Sequence, residues 1–242
     1  MIKEEELISG YYYHIYNCGI NGENLFREKE NYESFLSLMD KYILPVADLL
    51  ACVLMPNHFH FLVRIKENVG YKYSLTDRDQ KGSIWFDEHK WETIDLSACS
   101  RVLGTDSVKI LRPHLHFSHL FNAYAKYYNQ RYTRHGSLFE GRFKRKPIKS
   151  ERYFKSLVLY IHNNPVHHGF CSHPVEYPWS SYLTCISVKP TKLQRDPVIG
   201  WFNNLAEFKL LNNEKMNIEK IDKWLGLGEY WWLLTLSGVK TR

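Results

Sequence analysis

At 242 residues the chain suffices for one domain with appendages. Its 44% hydrophobic and 15% aromatic content belongs to a protein with a buried core, which excludes a disordered or fibrous one. The net charge of +6 fits a polyanionic partner without requiring one, and the five cysteines contain no C-x-x-C pair, which argues against a thiolate zinc site or a disulfide framework.

The opening MIKEEE lacks the basic-then-apolar pattern of a signal peptide. The longest apolar stretch, Ile43 to Met55, contains Asp48 and is too short to span a bilayer. The expectation is therefore a reduced, cytoplasmic protein with no membrane contact. "SGYYYHIYNCGING" reads as an aromatic, β-prone strand closed by Gly19 and Gly22. From about Glu28, Tyr32, Phe35, Leu36, Met39, Tyr42 and Ile43 recur on one helical face, and Pro45 ends the helix. Leu49 to Met55 is a buried strand, Pro56-Asn57 a tight connection, and Phe59 to Ile65 the hairpin partner.

Between about residues 67 and 114 the periodicity dissolves into scattered charge, Trp85, Trp91 and Gly/Asp/Ser clusters, the pattern of an insertion. A second amphipathic helix follows through Phe117, Leu120, Phe121, Tyr124 and Tyr128. "RHGSLFEGRFKRKPIK" is basic and glycine-punctuated, and its end reads as a further strand. Ser150 can N-cap a third helix with Glu151 in its first turn. Pro165 disfavours helical geometry in the residue before it, so this helix is expected to stop at Asn164. The strand and helix order is that of an α+β ferredoxin-like βαββαβ sandwich, with a four-stranded antiparallel sheet on one side and two helices on the other. The expected division is a domain over 1–170, carrying the insertion at about 67–114, and a helical, aromatic-rich extension over 171–242. In that extension the adjacent Trp231 and Trp232 read as packing residues.

Two imidazoles interrupt the second hairpin strand. Alternate strand residues share a face, so His58 and His60 point one way while Phe59 and Phe61 point the other. Their Cα atoms should lie roughly 6–7 Å apart, a span over which two imidazoles converge on one ion. The plain alternative is a pair of partly exposed histidines at a strand start. The apolar flanks favour a metal site, since a polar intrusion into a core strand needs a partner. A third ligand must then come from elsewhere. In "ERYFKSLVLYIHNNPV", Phe154, Leu157, Val158 and Ile161 form the core stripe, and Tyr160 and Asn164 sit beside it within about 40° of each other. Ordinary packing of Tyr160 and a helix-end role for Asn164 remain open from this helix alone. His167 and His168 are adjacent, hence divergent, and read as surface residues.

Taken in order, "YYHIYNCGINGENLFREKENYESFL", "MPNHFHFLV", "GSLFEGRFK", "YIHNNPVHHG" and "EYPWSSY" resemble the HUH single-tyrosine transposases, closest to their REP-associated branch. The blocks span roughly residues 11 to 183. The resemblance implies that His58, Phe59 and His60 are the histidine–hydrophobic–histidine motif, that Tyr160 is the nucleophile and that Asn164 is the third metal ligand. Asn rather than Gln at that position is the mark of the REP-associated branch. The residues between about 67 and 114 and those after Cys171 depart from the family pattern.

The implied chemistry agrees with the groups present. Mg²⁺ or Mn²⁺ on His58, His60 and Asn164 would act as a Lewis acid on a scissile phosphate. Tyr160 would attack it, giving a 5′-phosphotyrosine that a second 3′-hydroxyl can reverse. An ordinary tyrosine is only about one part in a thousand phenolate at neutral pH, so activation is required. His162, about 160° around the helix from Tyr160, is not placed to supply it. The implied partner is single-stranded or hairpin DNA. Arg131, Arg134, Arg142, Lys144, Arg145 and Lys146, interleaved with Tyr132, Phe139 and Phe143, suit backbone neutralisation and base stacking. The REP-associated branch favours a monomer over a homodimer. Two rivals stand beside this reading: a His-x-His hydrolase, for which the chain lacks the strand-helix cadence of a barrel, and a non-catalytic hairpin-binding protein derived from a transposase.

Overall fold

The computed structural model describes residues 6–72, 92–95, 108–110 and 112–214. Trp85, Trp91, Cys99, Trp231 and Trp232 lie outside the described residues. The main sheet is antiparallel throughout and is built from β1 (Tyr12–Cys18), β2 (Ala47–Met55), β3 (His58–Ile65) and β7 (Lys144–Pro147), in the order β2-β3-β1-β7. Between β3 and the next helix, β4 (Val69–Lys72), β5 (Glu92–Asp95) and β6 (Val108–Ile110) form a separate three-stranded antiparallel sheet, so the insertion carries regular structure of its own. Three longer helices complete the frame: α1 (Lys29–Tyr42), α2 (Pro113–Arg131) and α3 (Glu151–His167).

Strand alternation divides the side chains of the sheet into two unlike faces. Ile15, Phe59, Phe61 and Val63 pack under α1 and α2 with Phe35, Met39, Phe117, Leu120, Phe121 and Tyr124. The rings stack through this layer, Phe59 on Phe61 at 4.7 Å between centroids and Phe59 on Phe121 at 5.2 Å. The other face carries His14, Tyr16, His58, His60 and Leu62, and α3 covers it with Phe154, Leu157, Val158 and Ile161, all fully buried. The two helices of the sandwich, α1 and α2, thus lie on one face of the sheet, and the additional helix α3 lies on the other. The opposite face of the sheet is itself too apolar to be left to water: Leu62, Val53, Ala51 and Met55 must be buried against something.

α3 begins as its sequence dictates, with Ser150 Oγ accepting from Tyr153 N–H at 3.2 Å. Its end differs from expectation: the helix runs through Pro165 to His167. Pro165 falls in the last turn, where the N–H it lacks would have donated to Ile161 O, so that bond is forgone, and the turn is closed by His168 N–H donating to Asn164 O at 3.1 Å.

The extension folds back as short helices α4 (Tyr182–Ile186), α5 (Arg195–Trp201) and α6 (Leu205–Asn213). Its "EYPWSSY" stretch seals the outer edge of β2. Leu54 N–H donates to Trp179 O at 2.9 Å and Ser181 N–H to Cys52 O at 2.9 Å, while Trp179 stacks on Tyr32 of α1 at 4.3 Å. An otherwise open sheet edge is thereby satisfied. Cys18, Cys52, Cys171 and Cys185 are unpaired thiols. Among the described residues no helix is long and apolar enough to cross a membrane.

Candidate active site

The β2–β3 turn is clamped before any functional side chain enters. Leu25 and Phe26 N–H groups both donate to Pro56 O, at 2.7 and 2.9 Å, and Gly19 N–H donates to Asn57 O at 2.8 Å. Gly19 is required there: a Cβ would lie 1.9 Å from Glu23 O. The clamp fixes Asn57, whose Oδ1 accepts from His58 Nδ1–H at 2.8 Å.

On the other side of the same ring, His58 Nε2 lies 3.0 Å from Oδ1 of Asn164, delivered by the last turns of α3. His58 is therefore held between two carboxamide oxygens. A neutral imidazole carries one N–H, so it can satisfy only one of them. Protonation would satisfy both, but burial, with the nearby His168, pushes the His58 pKa down to about 3. At neutral pH the ring is thus neutral, and its Nε2 lies against the Asn164 carboxamide, whose Nδ2 is buried with no hydrogen-bond partner among the described residues. His58 Nε2 and an oxygen of the Asn164 carboxamide are close enough, at 3.0 Å, that both could serve a hard divalent ion.

His60 lies on the same strand face, its ring centroid 5.3 Å from that of His58. Its Nδ1 is 2.9 Å from Nε2 of His14, and Tyr160 of α3 meets its ring edge-on at 5.2 Å. Burial pushes the His60 pKa well down, with His14, His58 and His168 adding to the effect. The structure therefore brings His58, His60, Tyr160 and Asn164 together between one strand and one helix. Among the described residues no three His, Cys, Asp or Glu side chains are arranged to hold a metal ion. If His58 and His60 hold a metal ion, a third protein ligand would be of another type, and the amide oxygen of Asn164 is of a kind that hard divalent ions accept.

Three further residues join the cluster, two of which the sequence does not single out. His14 and Asn57 contact the histidine pair directly, as above. His168, read from sequence as a surface residue, is half-buried with its ring 5.3 Å from that of His58. Its position follows from the continuation of α3 past Pro165, which carries the chain back over the sheet. His14 had a detectable signal, a polar residue inside the aromatic run "YYYHIY"; its partner did not, because the contact is set by β1–β3 pairing. His162 faces the other way, with Nε2 2.9 Å from Ser181 Oγ of the extension, and takes no part in the site.

The basic residues divide into two groups. Arg131 pairs with Glu28 at 2.6 Å, and Arg134 pairs with Glu23, so both are engaged in ion pairs that tie α2 and its exit to the loop before α1. The remainder cluster on and before the edge strand. Lys144 lies opposite Tyr16 and Lys146 opposite His14, which puts both on the histidine face; Arg145, opposite Ile15, is on the other. There a groove of about 610 Å³ runs between α2 and the 136–145 loop, lined by Arg142, Arg145, Phe121, Phe143, Asn122 and Ser118 among others.

No protein-family model matches the chain, and no curated protein matches it. A solved structure of a REP-associated tyrosine transposase bound to a REP hairpin is similar to it, with a TM-score of 0.49 and 13% identity over 78% of this chain and 88% of that one.

Proposed function

We propose that the protein is a metal-dependent transposase of the HUH single-tyrosine kind, which cleaves and rejoins single-stranded or hairpin DNA through a 5′-phosphotyrosine. The observation that carries this reading is the convergence of Asn164 Oδ1 on His58 Nε2 at 3.0 Å, with the Tyr160 ring against His60 at 5.2 Å. We read the sheet with α1 and α2 as a ferredoxin-like βαββαβ unit, and α3 as the catalytic helix laid across its free face.

His58, His60 and Asn164 would hold Mg²⁺ or Mn²⁺, which when bound supplies Lewis acidity at a phosphate oxygen. The rest is the work of the chain. Tyr160 gives up its phenolic proton, its oxygen forms a bond to the scissile phosphorus, and the bond from phosphorus to the 3′ oxygen breaks. That oxygen takes a proton and leaves as a 3′-hydroxyl, while the 5′ phosphate stays esterified to Tyr160. One phosphate ester has replaced another, so a 3′-hydroxyl from a second strand can reverse the step without a nucleotide cofactor. The burial of Tyr160 beside His60 limits water at the ester. DNA would run over the β7 edge: Lys144 and Lys146 neutralise backbone on the histidine face, and Arg142, Arg145 and Phe143 offer charge and stacking in the groove behind it.

The test is a pool of end-labelled hairpin oligonucleotides with randomised single-stranded flanks, incubated with the full chain and Mn²⁺. A fraction of the label should become covalently attached to protein through its 5′ end and should be lost on chelation. Tyr160→Phe should retain DNA binding within about two-fold and form no adduct. Undiminished attachment in that variant, or attachment indifferent to chelator, would contradict the proposal.

A further inference from the structure

His14 is fully buried on β1, its Nε2 is 2.9 Å from His60 Nδ1, and nothing in the cleavage chemistry above uses it. Two imidazoles in contact through ring nitrogens must hold complementary tautomers, one nitrogen carrying the proton and the other the lone pair. If His60 is to give an Nε2 lone pair to a cation, its proton must be on Nδ1, and that proton needs an acceptor. The atom in reach is His14 Nε2. His14 must then carry its own proton on Nδ1, which is buried and has no hydrogen-bond partner.

We propose that His14 is a positioning residue that fixes the tautomer and ring orientation of His60, so that Nε2 of His60 is presented to the cation. The inference rests on the reading of His58, His60 and Asn164 as cation ligands. The surroundings make His14 a stiff support. Its ring stacks on Tyr16 at 4.5 Å, and its backbone sits in the sheet between Leu62 of β3 and Lys146 of β7. A ring stacked on Tyr16 and in contact with His60, on a backbone held in the sheet, cannot swing to offer Nδ1 in place of Nε2 without unstacking. Buried outer partners of metal-bound histidines act in this manner, and their loss typically weakens metal binding by about 10- to 100-fold.

The experiment is Mn²⁺ titration of the full chain without DNA, followed by electron paramagnetic resonance of the unbound ion. Four variants accompany the wild type. His58→Ala removes a proposed ligand and should abolish tight binding. His14→Phe keeps the ring without an acceptor and should weaken binding by about 10- to 100-fold. His14→Asn is one bond too short to reach and should do the same, which covers the event that the phenylalanine variant does not fold. His14→Gln can bring Oε1 close to where Nε2 stands and should restore binding to within about three-fold of wild type. A merely structural role for His14 would not distinguish Gln from Asn. Wild-type affinity in both His14→Phe and His14→Asn, with binding lost in His58→Ala, would overturn the positioning role and leave the ligand reading intact. Binding unaffected by His58→Ala would overturn both.

Discussion

The tightest constraints in this protein act on individual atoms around His58. Asn57 takes one ring nitrogen and Asn164 faces the other, so the ring has a single useful orientation. Replacing Asn57 with Ala leaves Nδ1 without its acceptor and frees the ring to turn. The expected result is a Mn²⁺ affinity weaker by about 10- to 100-fold, measured by calorimetric titration; an affinity equal to wild type would show that Asn57 does not hold the ligand. Much of this site is visible in the sequence because two local rules act there. Strand alternation puts His58 and His60 on one face, and helical periodicity puts Tyr160 and Asn164 beside the apolar stripe of α3. What local rules do not encode is pairing between strands. His14 meets His60 only because β1 lies antiparallel to β3 in one register, with Tyr16 opposite His60, and that register is a property of the folded sheet.

At the scale of elements, the site depends on a loop that contributes no ligand. The Cys18–Phe26 segment grips the β2–β3 turn through three backbone hydrogen bonds, and its path is possible because Gly19 has no side chain to meet Glu23 O. Gly19→Ala should destabilise the fold by about 1–3 kcal/mol, the usual cost of forcing an atom into a packed position. Chemical denaturation checks this, and an unchanged midpoint would mean the turn is held by other means. The same scale explains where sequence reasoning failed. Pro165 reads locally as a helix end, yet tertiary packing carries α3 another turn and delivers His168 to His58. The "EYPWSSY" stretch gives no local sign that it caps a sheet edge, because its partners are backbone groups of β2 more than a hundred residues earlier.

Across the whole molecule, several histidines are buried where charge is disfavoured, and folding is thereby coupled to pH. His116 of α2 is representative and distant from the site: its Nδ1–H donates to Tyr42 O at 3.1 Å, and burial lowers its pKa to about 4 from the ordinary 6.5. Below pH 6.5 the unfolded chain takes up a proton that the folded chain refuses, so stability present at pH 7 is lost as the pH falls from 6.5 toward 4. His116→Asn keeps a donor near Nδ1 without the titration. It should flatten the fall in unfolding free energy across that window, by on the order of 2 kcal/mol at pH 4 relative to pH 7; an equally steep fall in urea titrations at both pH values would contradict this. The arrangement of sheet, helix and edge strand has one chemical purpose under the present account, to hold Tyr160 where a scissile phosphate meets His58, His60 and Asn164. Its most direct test is peptide mapping by mass spectrometry of the covalent species formed with hairpin DNA and Mn²⁺. The account predicts a nucleotide 5′-phosphate on the peptide containing Tyr160; a modification on any other residue, or no covalent species with DNA that is nonetheless cut, would contradict it.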